Sequence, residues 1–396
     1  MKSMGSFNVQ GYFDTKTDTD RMQLELNQME MKASPLSVQF VDDGIVLPHK
    51  PGSGWGLGGV VDKRGAIVAE SIYDNGWARF GGSYAFDEAA VDYVDEDIVW
   101  FGFFFRHWGH FLMDFVGRAW FMSSDNYCHQ KVAYVSDSST IDGNYARFIE
   151  LLGVKPVDII KIDRPTRFRR VIIPELSYIE GRFYAQEYKR MFDTIVASHV
   201  PSDKFSRLRN VYLSRADFSK GLFSKDIGQD AIDELFRMNE WAIVSPERLT
   251  LDEQITIWNT ADEIACLNGT IPLNVAFSRK PQARLLALNK TALLHYNLLR
   301  YQKIFEREVV YVDVYDSALT RFSRSVGAGP FRCTISRSLK AMCTDYGLAV
   351  PKESSLRNVG DVTRFFAVWI KDGIIPPLRK RLSPIKRRLS SSWRAR

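Results

Sequence analysis

The segment Phe101–Trp120, with the sequence FGFFFRHWGHFLMDFVGRAW, restricts most strongly what this chain can fold into. It opens with apolar and aromatic residues, which predict a buried strand over 99–105. The polar residues that follow, His107, His110 and Asp114, are three and then four positions apart. At about 100° per residue, this spacing places them on one face of a helix. The segment therefore predicts a strand leading into a helix that carries two imidazoles and a carboxylate near its start.

This motif has two interpretations. A buried strand that feeds a helix is a common way to build a site in α/β proteins, and imidazole beside a carboxylate suits proton transfer near neutral pH. In the alternative, the two histidines are core residues whose ring nitrogens bond to backbone carbonyls. The motif alone does not decide between them, because ionisable groups in unusual surroundings mark functional sites only on average.

The composition is that of a globular protein. The chain has 396 residues, enough for two domains, and it is 45% apolar and 25% charged. Its four cysteines are far apart and form no CxxC pair, which argues against a zinc ribbon or a disulfide framework and fits a reducing compartment. The N-terminus has no apolar core of signal-peptide length, and no apolar run approaches the ~18 residues of a membrane span. A cytoplasmic location is expected.

The net charge of +6 is concentrated at the C-terminus. Eight basic residues and no acidic residue follow Asp372, so the rest of the chain, with 45 basic and 47 acidic residues, is nearly neutral. A nearly neutral body argues against nucleic-acid binding, which would need a basic face on the folded domain. Apolar residues interleave the basic ones of the tail, a composition that suits the inner surface of an anionic plasma membrane. The alternative is a tail that only improves solubility.

Strand and helix signals alternate from Val99 onward and predict an α/β fold with parallel sheets. Two such units imply two Rossmann-like domains facing a central cleft. The acidic run at 95–97 is expected to be a solvated turn before the strand. The predicted parts are an arm that is poorly ordered or loosely helical (1–35), an N-terminal Rossmann-like domain with the His–Asp helix (36–200), a C-terminal Rossmann-like domain (201–316), an irregular segment with an amphipathic helix (317–372) and a basic tail (373–396).

Polar residues follow three predicted strands of the second unit, where the carboxyl ends of parallel strands form a ligand crevice. Arg215, with Lys220 and Lys225, is suited to neutralise a diphosphate. Glu247 can accept hydrogen bonds from ribose hydroxyls. Gly269, within Asn268-Gly269-Thr270, allows a ligand to approach backbone amides at the start of the next helix. Singly, these residues have structural explanations, as a surface ion pair, a first-turn helix acid and a turn residue, but together they favour a binding site.

The order and spacing of four segments between residues 55 and 315 resemble glycosyltransferase family 61, particularly its bacterial members associated with capsular or other surface polysaccharides. The segments are GLGGVVD, HWGHFLMDFVGRAWF, VYLSR and IVSPERLTLDEQITIWNTADEIACLNGTIPLNVAF. The resemblance implies a GT-B fold, with an acceptor-side domain over 36–200 and a nucleotide-sugar domain over 201–316, and inversion at the anomeric carbon. It also implies that the segment ending in His110 and Asp114 is the family's hallmark, and that the nucleotide-sugar half carries Arg215, Glu247, Gly269 and Asn274.

A mechanism follows from the chemistry of inversion. One base must take the acceptor hydroxyl proton, and another group must hold the charge on the departing diphosphate. Asp114 is expected as the base or as the group that orients it, with His110 as its partner, and the role of His107 is open. The expected donor-binding residues are Arg215, Lys220, Lys225, Glu247, Asn268, Gly269, Thr270 and Asn274. The expected partners are a nucleotide sugar and a glycan or glycolipid acceptor, with no cofactor and no divalent metal.

Two other classes of protein compete with this interpretation. In a metal-dependent hydrolase or oxygenase, His107, His110 and Asp114 would be ligands on one helix. That alternative lacks a further ligand motif and leaves the crevice of the second unit unexplained. In a non-catalytic scaffold, the amphipathic C-terminus would dock on a membrane or a partner, and replacing Asp114 would change nothing measurable.

Overall fold

The N-terminal half of the chain is built on a mixed sheet. The structure is a computed structural model that describes residues 8–217, 224–352 and 354–373. Within those residues this sheet has seven strands, in the spatial order Ile159–Lys161, Lys131–Ser136, Asp92–Phe104, Thr166–Pro174, Ile45–Lys50 and Leu57–Val61, with Val38–Asp42 also paired to Thr166–Pro174. The first four strands are parallel. The strands between residues 38 and 61 run antiparallel to their neighbours, so this sheet is mixed. The expectation of parallel strands concerned the chain from Val99 onward, where the strands of this sheet are indeed parallel.

The strand Asp92–Phe104 is longer than predicted, and the acidic run at 95–97 lies inside it rather than in a turn. Basic side chains on the neighbouring strands compensate its charges. Asp97 Oδ1 accepts a hydrogen bond from Arg169 Nε at 2.8 Å, and Glu96 is 2.7 Å from Lys131 Nζ. These cross-strand partners allow an acidic segment to continue the ladder.

The second half is built on a parallel sheet, as predicted. Within the described chain it has six strands, in the order Gln10–Tyr12, Glu308–Asp313, Arg284–Asn289, Glu263–Leu267, Asn210–Leu213 and Ala242–Val244. The polar loops that follow Leu213, Val244 and Leu267 therefore emerge along one edge of this sheet.

The N-terminal arm, expected to be poorly ordered or loosely helical, is an integral part of the second half over residues 8–31. The expectation of poor order is corrected there, whereas helical structure is present at Thr19–Gln28. Gln10–Tyr12 forms the edge strand of the parallel sheet. The helix Thr19–Gln28, capped by Asp18, buries Met22 and Leu26 and packs against the helix Tyr296–Phe305. The sequence of the arm shows only weak amphipathic character, and its order depends on partners about 280 residues away along the chain.

The remaining elements cover the two large sheets and connect them. The other α-helices are Trp108–His110, Gly143–Glu150, Gln186–Ser198, Gln229–Met238, Leu251–Thr260, Arg337–Asp345 and Ser355–Gly373. The 3₁₀ helices are Ala69–Ser71, Glu88–Ala90, Val116–Ser123, Pro156–Asp158, Pro246–Arg248, Ile271–Phe277 and Thr320–Phe322, and Phe111–Phe115 is a π-helical turn. Short strands pair Glu30–Met31 and Tyr178–Ile179 with Phe183–Tyr184, Tyr73–Asp74 with Arg79–Phe80, and Asp226–Ile227 with Phe331–Arg332.

Several local predictions are confirmed. The sequence pattern predicts a helix over Gln229–Met238, and Thr250 with Glu253 predicts a capping box for a helix over 251–261. The structure has the first helix with these bounds and the capping box at the start of Leu251–Thr260. One expectation is corrected: the segment after residue 316, which was expected to be irregular, contains the helix Arg337–Asp345. No helix in the described part of the chain has the length and apolar character needed to cross a bilayer. The basic segment 374–396 lies outside the described residues.

A continuous apolar core joins the two sheets. Phe192, on the helix Gln186–Ser198, packs with its ring centroid 5.7 Å from Phe148 of the N-terminal half and 5.2 Å from both Phe277 and Phe305 of the second half. A bidentate ion pair from Arg147 to Asp252 spans the same boundary, at 2.8 and 3.1 Å. This packing brings the end of the strand Asp92–Phe104 next to the polar edge of the parallel sheet.

Candidate active site

The helix predicted after the strand Asp92–Phe104 is present but irregular. It begins as Trp108–His110, passes through a π-helical turn at Phe111–Phe115 and continues as 3₁₀ helix. His107 caps its start, because its Nδ1 accepts a hydrogen bond from the amide of His110 at 3.3 Å. Asp114 lies in the π turn, and such turns occur frequently at functional sites.

His110 and Asp114 form a hydrogen-bonded pair. The distance from His110 Nδ1 to Asp114 Oδ2 is 2.7 Å. The Asp114 side chain is only 1% exposed, whereas that of His110 is 27% exposed. With Nδ1–H directed at the carboxylate, the neutral imidazole has its lone pair on Nε2, so it can accept a proton there. The pair can therefore act as a base whose tautomer is set by a buried carboxylate.

Tyr73 holds the second oxygen of this carboxylate. Its hydroxyl donates to Asp114 Oδ1 at 2.5 Å and accepts from Asn75 Nδ2 at 3.2 Å. Burial, together with the negative charge of Asp114, raises the pKa of Tyr73 well above its ordinary value. The hydroxyl is therefore protonated at any working pH, and it remains a donor to Asp114.

The partly buried carboxylate of Glu180 supports this arrangement. Glu180 accepts hydrogen bonds from Asn75 at 3.3 Å, from Trp77 Nε1 at 2.7 Å and from Arg300 Nη1 at 2.6 Å. Burial raises the pKa of Glu180, although Arg300 and Trp77 oppose that effect. Because Arg300 belongs to the second half of the chain, this network ties the surroundings of the His110–Asp114 pair to both sheets.

We expect Tyr73→Phe to lower kcat by about tenfold while leaving nucleotide affinity unchanged. It removes one hydrogen bond to a buried charged group, which is worth ~1.5–3 kcal/mol, and so loosens the carboxylate that orients His110. The matched control is Tyr84→Phe, which removes a hydroxyl bonded to the carbonyl of Pro48 at 2.9 Å. Chemical denaturation and steady-state kinetics on both variants test this. Equal kcat losses in the two variants would mean that Tyr73 has only a structural role.

His107 lies between the pair and the second half of the chain. Its ring centroid is 4.6 Å from that of His110. Although the residue is exposed as a whole, desolvation by the protein atoms around its ring lowers the pKa of His107, and the positive charges of His110 and Arg215 lower it further. A lowered pKa favours the neutral ring, and because Nδ1 is already an acceptor, Nε2 carries the hydrogen and can donate it.

The polar edge of the parallel sheet adjoins this helix. A Cβ atom placed on Gly109 would lie 3.3 Å from Thr270 Oγ1, and one on Gly269 would lie 3.6 Å from Arg215 Nη1. Trp108 Nε1 donates to Asn274 Oδ1 at 2.7 Å, and Asn274 Nδ2 donates to Gln254 at 2.8 Å. The structure thus brings Thr270, Gly269 and Arg215 next to the helix that begins at Trp108 and carries His110, which we call the histidine helix. The buried side chain of Asn274 holds the two halves together.

Positive charge at this edge comes from Arg215 and from a lysine that the sequence analysis missed. The buried carboxylate of Asp226 lies 2.9 Å from Lys290 Nζ and 3.7 Å from Arg215 Nε. Two cations share one anion, so the group has a net charge of about +1. Lys290 directly follows the strand Arg284–Asn289, and this strand-end position is the signal that could have revealed it.

Asn268 belongs to a chain of buried side chains that continues to the N-terminal arm. Its Nδ2 donates to Asn289 Oδ1 at 2.8 Å, and Asn289 Nδ2 donates to Asp313 at 2.8 Å. Its Oδ1 and the Nδ1 of His295 are buried without a hydrogen-bond partner among the described residues. Both residues line a cavity with about 260 Å³ of empty space, part of it open to solvent. Burial lowers the pKa of His295 to about 4, so this nitrogen is uncharged near neutral pH.

Other predicted residues are less closely associated with the site. Lys225 is exposed, and Lys220 lies outside the described residues. Glu247 is exposed in the turn Pro246–Arg248, next to the edge strand of the parallel sheet. The helix expected after Gly269 is the 3₁₀ helix Ile271–Phe277, which has only seven residues and contributes little dipole.

Metal binding by the His107, His110 and Asp114 group receives no support. Among the described residues, no group of three or more His, Cys, Asp or Glu side chains is arranged to hold a metal ion. His110 Nδ1 and both oxygens of Asp114 are engaged in hydrogen bonds with each other and with Tyr73, which leaves His107 as an N-cap rather than a third ligand.

Comparison with known proteins identifies the domain that carries this site. A search of curated proteins found no match. The family model described as glycosyltransferase 61 matches residues 108–285. The matched region begins at the first residue of the histidine helix, includes Arg215 and Thr270, and ends in the strand that precedes Lys290. Residues 108–285 are therefore similar to a glycosyltransferase 61 domain, and the protein is a glycosyltransferase.

Proposed function

We propose that this glycosyltransferase transfers a sugar, with inversion, from a nucleotide-sugar donor to a hydroxyl group of a saccharide acceptor. The observation that carries the proposal is the close approach of the helix with His110 to two loops of the parallel sheet. A Cβ atom on Gly109, next to His110, would lie 3.3 Å from Thr270 Oγ1, and one on Gly269 would lie 3.6 Å from Arg215 Nη1. Inversion by single displacement needs a base on one side of the anomeric carbon and anion stabilisation on the other. A GT-B-like arrangement with an acceptor domain (36–200) and a nucleotide-sugar domain (201–316) fits this division of tasks.

His110 is proposed as the base and Asp114 as the residue that orients it. The exposed imidazole is the member of the pair that can reach a substrate hydroxyl, whereas the carboxylate is enclosed and already accepts two hydrogen bonds. The acceptor hydroxyl proton goes to His110 Nε2 as its oxygen forms the bond to the anomeric carbon. The buried Asp114 carboxylate then stabilises the imidazolium.

The departing nucleoside diphosphate takes the electron pair of the bond that breaks. Arg215 is proposed to hold its phosphates, with the Nε2–H of His107 as a further donor and Lys290 adding to the local positive charge. Neutral His107 suits this position, because an uncharged donor does not repel the imidazolium that forms on His110, 4.6 Å away. Asn268 and Thr270 are proposed to contact the donor, and Lys220, Lys225 and Glu247 belong to the periphery of its binding site.

The experiment that tests the proposal is a panel of nucleotide sugars screened for thermal stabilisation of the purified protein. A ligand at 100 times its Kd stabilises the native state by ~2.7 kcal/mol, which gives a shift of a few degrees in a protein of this size. We expect one nucleotide class to raise Tm, and the same shift to be much smaller in Arg215→Ala. If no nucleotide sugar raises Tm and none is consumed with any acceptor, the proposed donor chemistry is wrong.

We further propose that the enzyme acts in the synthesis of capsular or other cell-surface polysaccharides, at the cytoplasmic face of the plasma membrane. The basic residues after Asp372 support this setting, since each contributes ~1 kcal/mol near anionic headgroups. We expect the full chain to sediment with vesicles containing phosphatidylglycerol at low salt and to be released at high salt, because ions screen the attraction. Binding that is equally strong to neutral vesicles would contradict an electrostatic anchor.

A further inference from the structure

Two tryptophans flank His110 without being buried. The ring centroid of Trp55 is 5.4 Å from that of His110, and the centroid of Trp77 is 6.1 Å from it. The two indoles are 6.3 Å apart and nearly perpendicular, at 82°. Trp55 is 43% exposed and Trp77 is 57% exposed. Together they form a corner of two aromatic faces around the proposed base, which we call the tryptophan corner.

The tryptophan corner is held in place by contacts at its edges. Trp77 Nε1 donates to the partly buried Glu180 at 2.7 Å, which fixes the plane of that indole. Trp55 packs 5.3 Å from Phe80 and 6.4 Å from Phe105, and its backbone amide donates to the carbonyl of Arg79 at 2.9 Å. Both rings are thus ordered by the protein although a large part of their surface faces solvent.

Exposed aromatic surface of this kind indicates that a ligand binds there. Large aromatic side chains contribute most when they are buried, and grouped exposed apolar surface generally marks a binding site. A second observation restricts the partner, because the corner surrounds the imidazole that is proposed to deprotonate the acceptor. Whatever covers the two indoles must present a hydroxyl group to His110 and an apolar face to the rings.

A sugar ring has this combination of surfaces. Its C–H groups form an apolar face with slight positive charge, which matches the negative face of an indole, while its hydroxyls project from the rim. We propose that Trp55 and Trp77 form the acceptor subsite and stack against the ring whose hydroxyl group is glycosylated. The inference rests on the proposed function, and it assigns the acceptor as a glycan rather than as a protein side chain or a lipid hydroxyl without a sugar.

The test uses saturation-transfer NMR on the full chain with methyl glycosides of the common hexoses and pentoses as probes. We expect transfer to the ring C–H protons of at least one glycoside with the wild-type protein. We expect Trp55→Ala and Trp77→Ala each to weaken its Kd by about five- to tenfold, the equivalent of ~1–1.5 kcal/mol for a lost aromatic contact. Trp77→Phe keeps a ring face and should retain most of the affinity. Phe40→Ala, which removes an equally exposed ring that lies against Arg170, is the control for loss of an exposed aromatic.

The outcomes separate this inference from the proposed function. Loss of glycoside binding in both alanine variants, with donor-induced Tm shifts intact, supports the acceptor subsite and excludes misfolding. Unchanged glycoside affinity in the variants, or no glycoside signal with wild type, overturns the subsite. Those two results leave the donor chemistry standing, because the donor panel is measured independently. A missing donor response would instead contradict the proposed function.

Discussion

Asp114→Asn is expected to reduce kcat by about 10²–10⁴-fold while changing the Kd of the nucleotide by less than twofold. An asparagine amide can donate to His110 Nδ1, and it then selects the tautomer with hydrogen on Nε2, which cannot take the acceptor proton. Tyr73 still donates to the side-chain oxygen, so the local packing survives. The loss therefore appears in the chemical step and not in donor binding.

Steady-state kinetics and calorimetric nucleotide binding on Asp114→Asn, His110→Ala and the double variant test this expectation. Because the two residues act as one unit, the double variant should be no slower than the slower single variant. Asp97→Asn is the matched control, since it removes a carboxylate that pairs with the exposed Arg169. A kcat within tenfold of wild type in Asp114→Asn, or losses that multiply in the double variant, would disprove the dyad.

Arg215→Ala should, in contrast to Asp114→Asn, weaken nucleotide binding itself. Removing a cation that bonds to a diphosphate costs about 1.5–3 kcal/mol, which corresponds to a Kd weakened by about 10- to 100-fold. A decrease in kcat accompanies it, because the same charge stabilises the leaving group. Asp226 increases the loss of nucleotide affinity, because in Arg215→Ala only Lys290 remains of the two cations that pair with its carboxylate.

Titration calorimetry with the nucleoside diphosphate selected by the donor panel measures this loss directly. Arg215→Lys should fall between wild type and Arg215→Ala, because it keeps the charge but not the planar fork of donors. Arg248→Ala is the control, as it removes an exposed arginine that pairs with Asp217 at 2.7 Å on the same side of the sheet. Equal nucleotide affinity in Arg215→Ala and Arg248→Ala would remove Arg215 from the donor site.

Local patterns predict much of this fold because they report on contacts within one element. The period of the apolar residues and the capping residues locate Gln229–Met238 and Leu251–Thr260 to within one residue. The parallel sheet of the second half follows from alternating strands and helices in the same way. The predictions fail where order depends on a distant partner. The strand Gln10–Tyr12 pairs with Val310–Val312, and no feature of the arm itself reveals that neighbour.

The same distinction holds for the candidate site. The spacing of His110 and Asp114 and the polar strand ends at Arg215 and Asn268 are legible in the sequence, because a helix and a parallel sheet each place side chains by simple geometry. The surroundings of Asp114 cannot be read from the sequence, because Tyr73, Glu180 and Arg300 come from three separate parts of the chain. The tertiary fold of the N-terminal half brings Tyr73 to Asp114 and leaves Trp55 and Trp77 exposed beside the imidazole, and the packing of the two halves adds the bond from Arg300 to Glu180. Side-chain chemistry is thus encoded locally, whereas burial and long-range contacts, which set its reactivity, arise in the tertiary structure.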